Sequence, residues 1–473
     1  MSELLTPDVC VIGAGTGGLV VAAGAGQLGA DTVLIESHRM GGDCLNTGCV
    51  PSKSLLAAAH AANGHRRAAA FGLVQAPPLI DFAKVQAHLR GVIAAIAPND
   101  SEERFTGLGV TVLRRHGRFT GPGEVAVGET RIRARRFVVA SGSTAFIPPV
   151  AGLSALPYFT NETIFDIDRL PEHLLIMGGG PIGCELAQAF RRLGARVSVV
   201  EMLEIMPKDD PELVEVVRQA LLADGIELFE RHTVVATAGA GTKITMEIEK
   251  DGTRRRLEGS HLLLAAGRRP RVHDMGLESA GIGHSDKGIQ VDARLRTTNR
   301  RVYAVGDVVG GPQFTHLAAY HAGIVIRNAL FRLPARADLS ALPWVTFTDP
   351  ELAHVGLSEK AARAHGPIRL LRWPLAENDR AQAEHLHRGF IKIVTNARGR
   401  ILGADIVGPS AGEMIHFWAL AVSQKMKIGA VAAMIAPYPT LAEIGKRAAG
   451  NYYLPKLFGE RTKRLVRFLA RFG

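Results

Sequence analysis

The chain opens with a pattern that repeats. An uncharged apolar run, Val9–Ile12, gives way to Gly13-Ala14-Gly15-Thr16-Gly17-Gly18, then to a helical stretch, then to a second apolar run, Thr32–Ile35, that ends on Glu36. The unit returns as Leu174–Met177, Gly178-Gly179-Gly180-Pro181-Ile182-Gly183, a helical stretch, and Arg196–Val200 ending on Glu201. In both, the acid lies 23 positions after the first glycine. Short apolar runs bounded by turn residues predict buried strands. The stretch Val9–Ala30 is uncharged and long enough to suggest a membrane span, but its seven glycines and the strand that follows argue against one.

Each unit makes sense as a dinucleotide site. The first glycine permits the tight turn, the second lets backbone approach a pyrophosphate, and the third lets helix and strand pack closely. The helix N-terminus offers free N–H groups to phosphate, and the acid accepts from ribose hydroxyls. One such turn is weak grounds, because tight turns use glycine anyway. Two complete strand–turn–helix–strand units are strong grounds. Three further segments read as strand ends at cofactor level: Phe137–Ser143 with Ser141 and Gly142, Leu262–Ala266 before Gly267, and Arg301–Asp307. From about residue 341 the pattern changes. Alternating segments such as Val345–Phe347 and Phe390–Val394 predict antiparallel strands, and Ala411–Met426 predicts a helix. The expected architecture is α/β, with two Rossmann-like dinucleotide-binding domains and a C-terminal α+β domain. The expected boundaries are 1–145 and 269–340 for the first domain, 146–268 for the second and 341–473 for the third.

Composition narrows the choice of chemistry. With 473 residues, 47% hydrophobic, the chain can bury several cores. The net charge of +11 would suit anionic partners, but Lys and Arg are spread widely and no nucleic-acid motif occurs, so no nucleic-acid partner is expected and most of these charges read as solvated surface. No secretory signal is evident, which points to the cytoplasm. Four cysteines are too few for a disulfide scaffold. Two of them, Cys44 and Cys49, are separated by four residues within Gly41-Gly42-Asp43-Cys44-Leu45-Asn46-Thr47-Gly48-Cys49-Val50-Pro51-Ser52-Lys53. Gly48 permits the curl that would bring the cysteines into disulfide range. Pro51 suits the first turn of a helix, so Cys49 would sit at a helix N-terminus near Lys53, and both features favour thiolate. A metal-ligand pair is the competing reading, but it lacks two further ligands at close spacing. Cys10 and Cys184 read as packed apolar residues.

In order and spacing, GGDCLNTGCVPSK, the two glycine turns, Ala265-Ala266-Gly267-Arg268-Arg269-Pro270 and Ala304-Val305-Gly306-Asp307 resemble the class I pyridine nucleotide–disulfide oxidoreductases. That resemblance covers nearly the whole chain. It implies an FAD site from Gly13, Gly15, Gly18, Glu36, Gly42, Lys53, Gly117, Ser141, Gly142, Asp307, Thr315 and Ala318, and an NAD(P)H site from Gly178, Gly180, Gly183, Glu201 and Gly267. It implies Cys49 as the thiol against the flavin, Cys44 as the interchange thiol, Lys53 and Glu185 as an ion pair near the flavin, and a homodimer that completes each active site. Resident metal is not expected. NADH is favoured over NADPH, because Glu201 would repel a 2′-phosphate.

Dihydrolipoamide dehydrogenases and glutathione reductases carry a His-Pro near the C-terminus with Glu five positions after the His. Here the segment reads Tyr438-Pro439-Thr440-Leu441-Ala442-Glu443, so Tyr438 replaces the base while Glu443 remains. A Tyr there resembles mercuric reductase, yet no cysteine follows Cys184. The expected acceptor is a thiophilic metal ion or a small disulfide. His316 and His354 are the alternative bases. Finally, residues 454–473 carry six basic residues against one acid, with Leu465, Val466, Phe468, Leu469 and Phe472 on one helical face. Such a helix either packs on its own dimer or lies on an anionic membrane.

Overall fold

The computed structural model describes residues 3–74, 76–240 and 243–472. Two parallel sheets and one antiparallel sheet organise it. In the first, the strands run Val302–Ala304, Arg136–Val139, Val9–Ile12, Thr32–Ile35, Val110–Leu113, all parallel. Its central strands are buried on both faces, as the unbroken apolar runs require. In the second, the parallel order is Glu227–Glu230, Arg196–Glu201, His173–Met177, His261–Leu264. In the third, five antiparallel strands run Pro343–Thr346, Glu351–Gly356, Ile401–Gly408, Phe390–Asn396, Ile368–Pro374, with the helix Ala411–Ser423 packed against them. The α/β architecture with a C-terminal α+β body is therefore present. Val9–Ala30 forms strand, turn and helix as expected, and no helix among the described residues is long and apolar enough to cross a membrane.

Register does the positioning. Val9 pairs with Thr32 and Ile12 with Ile35, so the first glycine turn leaves the sheet beside Glu36. His173 pairs with Arg196 and Met177 with Val200, which sets the second turn beside Glu201 in the same way. Gly13 and Gly178 leave their strands at φ +106° and +115°, a left-handed conformation open to glycine. Each donates its N–H to the neighbouring strand, to Ile35 O and Val200 O, at 2.8 Å.

The three bodies are tied by polar residues as well as by a shared apolar core. Arg192, almost fully buried, donates to Asp224 and to Asp349, each at 2.8 Å, across the boundary between the second sheet and the C-terminal body. Gln188 bridges the same two acids: its Nε2 donates to Asp224 Oδ2 at 3.0 Å and to the Asp349 carbonyl at 2.9 Å.

Candidate active site

A cleft of about 1590 Å³ runs between the three bodies. The first turn contributes Gly13 and Gly15, the strand end Glu36, and the cysteine segment Gly42, Cys44, Cys49 and Lys53. Gly117, Ser141, Gly142, Asp307, Thr315 and Ala318 also line it, as does Glu185. Gly18 lies behind the first turn, outside the lining. Gly178, Gly180, Gly183, Glu201 and Gly267 do not line this cleft either, but the helix that starts at the second turn sends Ile182, Glu185 and Leu186 into its wall.

Cys49 is the first residue of the helix Cys49–Ala68, and Cys44 lies within a one-turn helix, Gly42–Asn46, that the sequence did not announce. Gly48 joins them: a Cβ there would stand 2.9 Å from Asp43 O, so the curl requires glycine. Both cysteines are free thiols here, close enough for Cys44 to hydrogen-bond Cys49. That bond acts oppositely on the two sulfurs. It lowers the Cys49 pKa, and although burial opposes this, Thr315 and Lys53 reinforce the fall. The same bond raises Cys44, and burial adds to the rise. Of the two sulfurs, Cys49 is therefore the one whose surroundings favour thiolate. Thr315 Oγ1 lies 3.3 Å from Cys49 Sγ.

Lys53 Nζ meets Glu185 Oε2 at 2.8 Å. The other Glu185 oxygen accepts the Phe347 N–H at 2.9 Å, and Lys53 stands 4.3 Å over the Phe347 ring. One carboxylate thus joins the cysteine helix, the helix of the second unit and the C-terminal sheet. Ser143 donates to Asp307 at 2.6 Å and accepts from Arg268 Nε at 2.9 Å, while Arg268 also pairs with Asp43. Burial pushes the Asp307 carboxyl up. Ser143, Arg268, Asp43 and Phe347 add to the expected site residues; each lies in a segment that the sequence marks out, though none is expected there to act at the site.

Residues 7–322 match the family described as pyridine nucleotide-disulphide oxidoreductase, and residues 342–449 match its dimerisation domain. The chain belongs to this oxidoreductase family. A mercuric reductase from Streptomyces lividans is 34% identical to it, with 94% of this chain and 96% of that protein aligned. A dihydrolipoyl dehydrogenase from Thermus scotoductus is 35% identical, with 93% and 95% aligned. Among solved structures, LpdA from Mycobacterium tuberculosis superposes with a TM-score of 0.86 at 27% identity, covering 95% of this chain and 99% of that one. The Cu(II) complex of the HOCl-induced flavoprotein disulfide reductase RclA from Escherichia coli superposes at 0.83 and 25% identity, covering 93% and 98%.

The oxidoreductase therefore uses FAD and NAD(P)H, and its residues fit both. The helices Thr16–Gln27 and Pro181–Arg192 begin at Gly15 and Gly180 with no side-chain cap and no acid in the first turn, which leaves their N–H groups for phosphate. The two acids behave alike: Glu36 accepts from Ala14 N and His38 N at 2.6 and 2.7 Å, Glu201 from Gly179 N and Leu203 N at 2.7 and 2.9 Å. Both acids, expected to meet ribose hydroxyls, here brace the turn.

Two residues of the oxidoreductase stand apart from the cleft. Tyr438 is 66% exposed, its hydroxyl donating to Asp379 at 2.7 Å. Glu443 begins the helix Glu443–Gly450 and pairs with Arg447 at 2.9 Å. Neither lines the cleft of its own chain. Of the alternative bases, His354 is buried with both ring nitrogens engaged, Nδ1 on Asp405 at 2.5 Å and Nε2 on Gly356 O at 2.9 Å. His316 does line the cleft, with Nε2 on Pro343 O at 2.9 Å. Cys10 and Cys184 are fully buried, and burial raises both thiols. Among the described residues no group of three or more His, Cys, Asp or Glu is arranged to hold a metal.

Proposed function

We propose that this oxidoreductase carries electrons from NADH through FAD to the Cys44–Cys49 pair and on to a thiophilic metal ion, in the manner of a mercuric reductase, and that it works in the cytoplasm as a homodimer. Bound FAD supplies the two-electron relay between nicotinamide and sulfur. The chain's own residues do the rest. The uncapped helix N-termini bind phosphates, Lys53 and Glu185 hold the nicotinamide-side helix against the cysteine helix, and Thr315 steadies the Cys49 thiolate. Cys44 offers the incoming metal a second sulfur, its proton passing to a basic ligand that the metal gives up as the metal–sulfur bond forms. Two electrons per NADH match the reduction of Hg(II) to Hg(0).

The observation that carries this reading is Tyr438. Exchange between Cys44 and a dithiol needs a proton acceptor. Asp379, through its hydrogen bond, raises the Tyr438 phenol further above its already high ordinary value of about 10. Losing a positioned general base costs about 10²–10⁴-fold in rate. A metal held by two sulfurs needs no such base. The mercuric reductase relatives and the Cu(II) complex of RclA support the same reading.

The competing reading, a dihydrolipoamide dehydrogenase, rests on relatives of that name and on His316 in the cleft wall. NADH oxidation by the FAD-loaded protein with Hg(II), Cu(II), lipoamide and glutathione disulfide separates the two. The expected result is metal-stimulated turnover, lipoamide turnover lower by about 10²-fold or more, and a gain with lipoamide in Tyr438→His. Lipoamide turnover in the wild type equal to that of a His-containing relative would overturn the proposal.

A further inference from the structure

The helix Glu460–Leu469 differs from the longer helices that pack against the sheets. None of its residues is buried. At 100° per residue, Leu465, Val466, Phe468 and Leu469 share one side of it, and Phe472, just beyond, packs edge-on against Phe468 at 5.1 Å between ring centroids. These five side chains are 53–74% exposed. Leu454, Leu457 and Phe458 of the preceding turn are exposed too. Lys463, Arg464, Arg467 and Arg471 occupy the opposite side. The one acid, Glu460, is already engaged by Lys463 at 3.0 Å and Arg467 at 3.8 Å. Among the described residues, the side-chain hydrogen bonds and ion pairs of the helix all stay within residues 456–467.

A helix with a largely apolar side and a back of net positive charge needs a partner that takes up hydrocarbon on one side and negative charge at the rim. We propose that this segment docks the oxidoreductase on an anionic lipid surface, lying in the plane of the headgroups with Leu465, Phe468, Leu469 and Phe472 inserted. Charge complementarity selects lipid over a second copy of the chain. A second copy brings a net charge of +11 of its own, and a side with four cations against one acid would oppose such a contact. Against anionic lipid the same four cations each add attraction, about five-fold in partitioning apiece. Arg461 falls on the apolar side, but in the first turn, where its long stem can bend the guanidinium out to the headgroups. The helix spans about 15 Å, so it lies on a bilayer and does not cross one.

The test is flotation of the full-length, FAD-loaded protein with phosphatidylcholine vesicles, with and without phosphatidylglycerol, at low and high salt. Binding is expected only with phosphatidylglycerol, and high salt should weaken it by at least ten-fold. The triple variant Leu465→Ser, Phe468→Ser, Leu469→Ser should lose it while keeping the flavin spectrum and the mass in solution. A single Phe468→Trp should bind and shift its emission to the blue. Absence of wild-type binding, or binding retained by the triple variant, overturns the proposal. So does a fall in mass when the chain is stopped after Gly459, since the helix would then belong to the contact between copies.

Discussion

The first and second dinucleotide turns share strand register, a left-handed leading glycine and a Glu bridging two backbone N–H groups, yet they face different surroundings. Gly15 lies beneath the cysteine segment: a Cβ on Gly42 would stand 2.6 Å from Gly15 Cα. Gly180 faces open space, with nothing within 4 Å of where its Cβ would be. The helix Thr16–Gln27 carries no charge and packs on the helix Thr315–Ala329, whereas Pro181–Arg192 sends Glu185, Gln188 and Arg192 into ties with its neighbours. One local motif thus serves two ends. Roofed by the redox segment it suits a cofactor that stays; left open and moored by polar ties it suits one that comes and goes.

The sharpest way to break that comparison is to damage each turn identically. In both, a Cβ on the third glycine would overlap the carbonyl oxygen of the first, which belongs to backbone and cannot swing aside. Gly18→Ala should purify without flavin. Gly183→Ala should purify yellow and reducible by dithionite, with NADH reduction slowed by at least 10²-fold. A colourless Gly183→Ala, or a yellow Gly18→Ala, would erase the distinction; absorbance at flavin and protein wavelengths decides.

The roof itself can be probed next. Partial reduction by NADH should give a long-wavelength thiolate-to-flavin band. Cys49→Ser should abolish it, and Cys44→Ser should show it without reductant. Because Cys49 is held below the ordinary thiol value of about 8.5, the band should persist as pH falls through neutrality and fade well below that value. A wild-type band in Cys49→Ser would end the assignment.

A smaller effect is expected at the moorings. Arg192→Ala leaves two acids facing each other in a largely buried site and should destabilise by about 3–5 kcal/mol in denaturant unfolding, while Arg192→Met should cost less. Equal losses would mean that the charge, absent from both variants, and not the packing of the side chain, fastens the second unit. Smallest is nicotinamide choice: Glu201 should favour NADH by about ten-fold in kcat/KM, and Glu201→Ala should narrow the gap. A wild-type preference for NADPH would contradict it.

Features carried by contiguous residues could be read from the chain. Strands Val9–Ile12 and Thr32–Ile35 have the expected limits, and Cys49 starts a helix as Pro51 suggests. What escaped depends on distant pieces meeting. Arg268 reaches Asp43, Ser143 reaches Asp307, and Phe347 N reaches Glu185, across 225, 164 and 162 positions. No local pattern encodes those meetings. The short helix around Cys44 escaped for another reason: five residues with two left-handed glycines at its start carry no helical periodicity. Tyr438 could be placed in sequence but not in space, since it sits on the surface beside Asp379.

Burial also divides the four cysteines into two that solvent can reach and two that it cannot. Cys10 and Cys184 are sealed, so an alkylating reagent added to the native protein sees only Cys44 and Cys49. The mass gained then reports the state of the pair: an adduct on a reduced molecule, none on an oxidised one. Each chain carries its own redox ledger, legible in a mass spectrometer without reference to colour, turnover or acceptor.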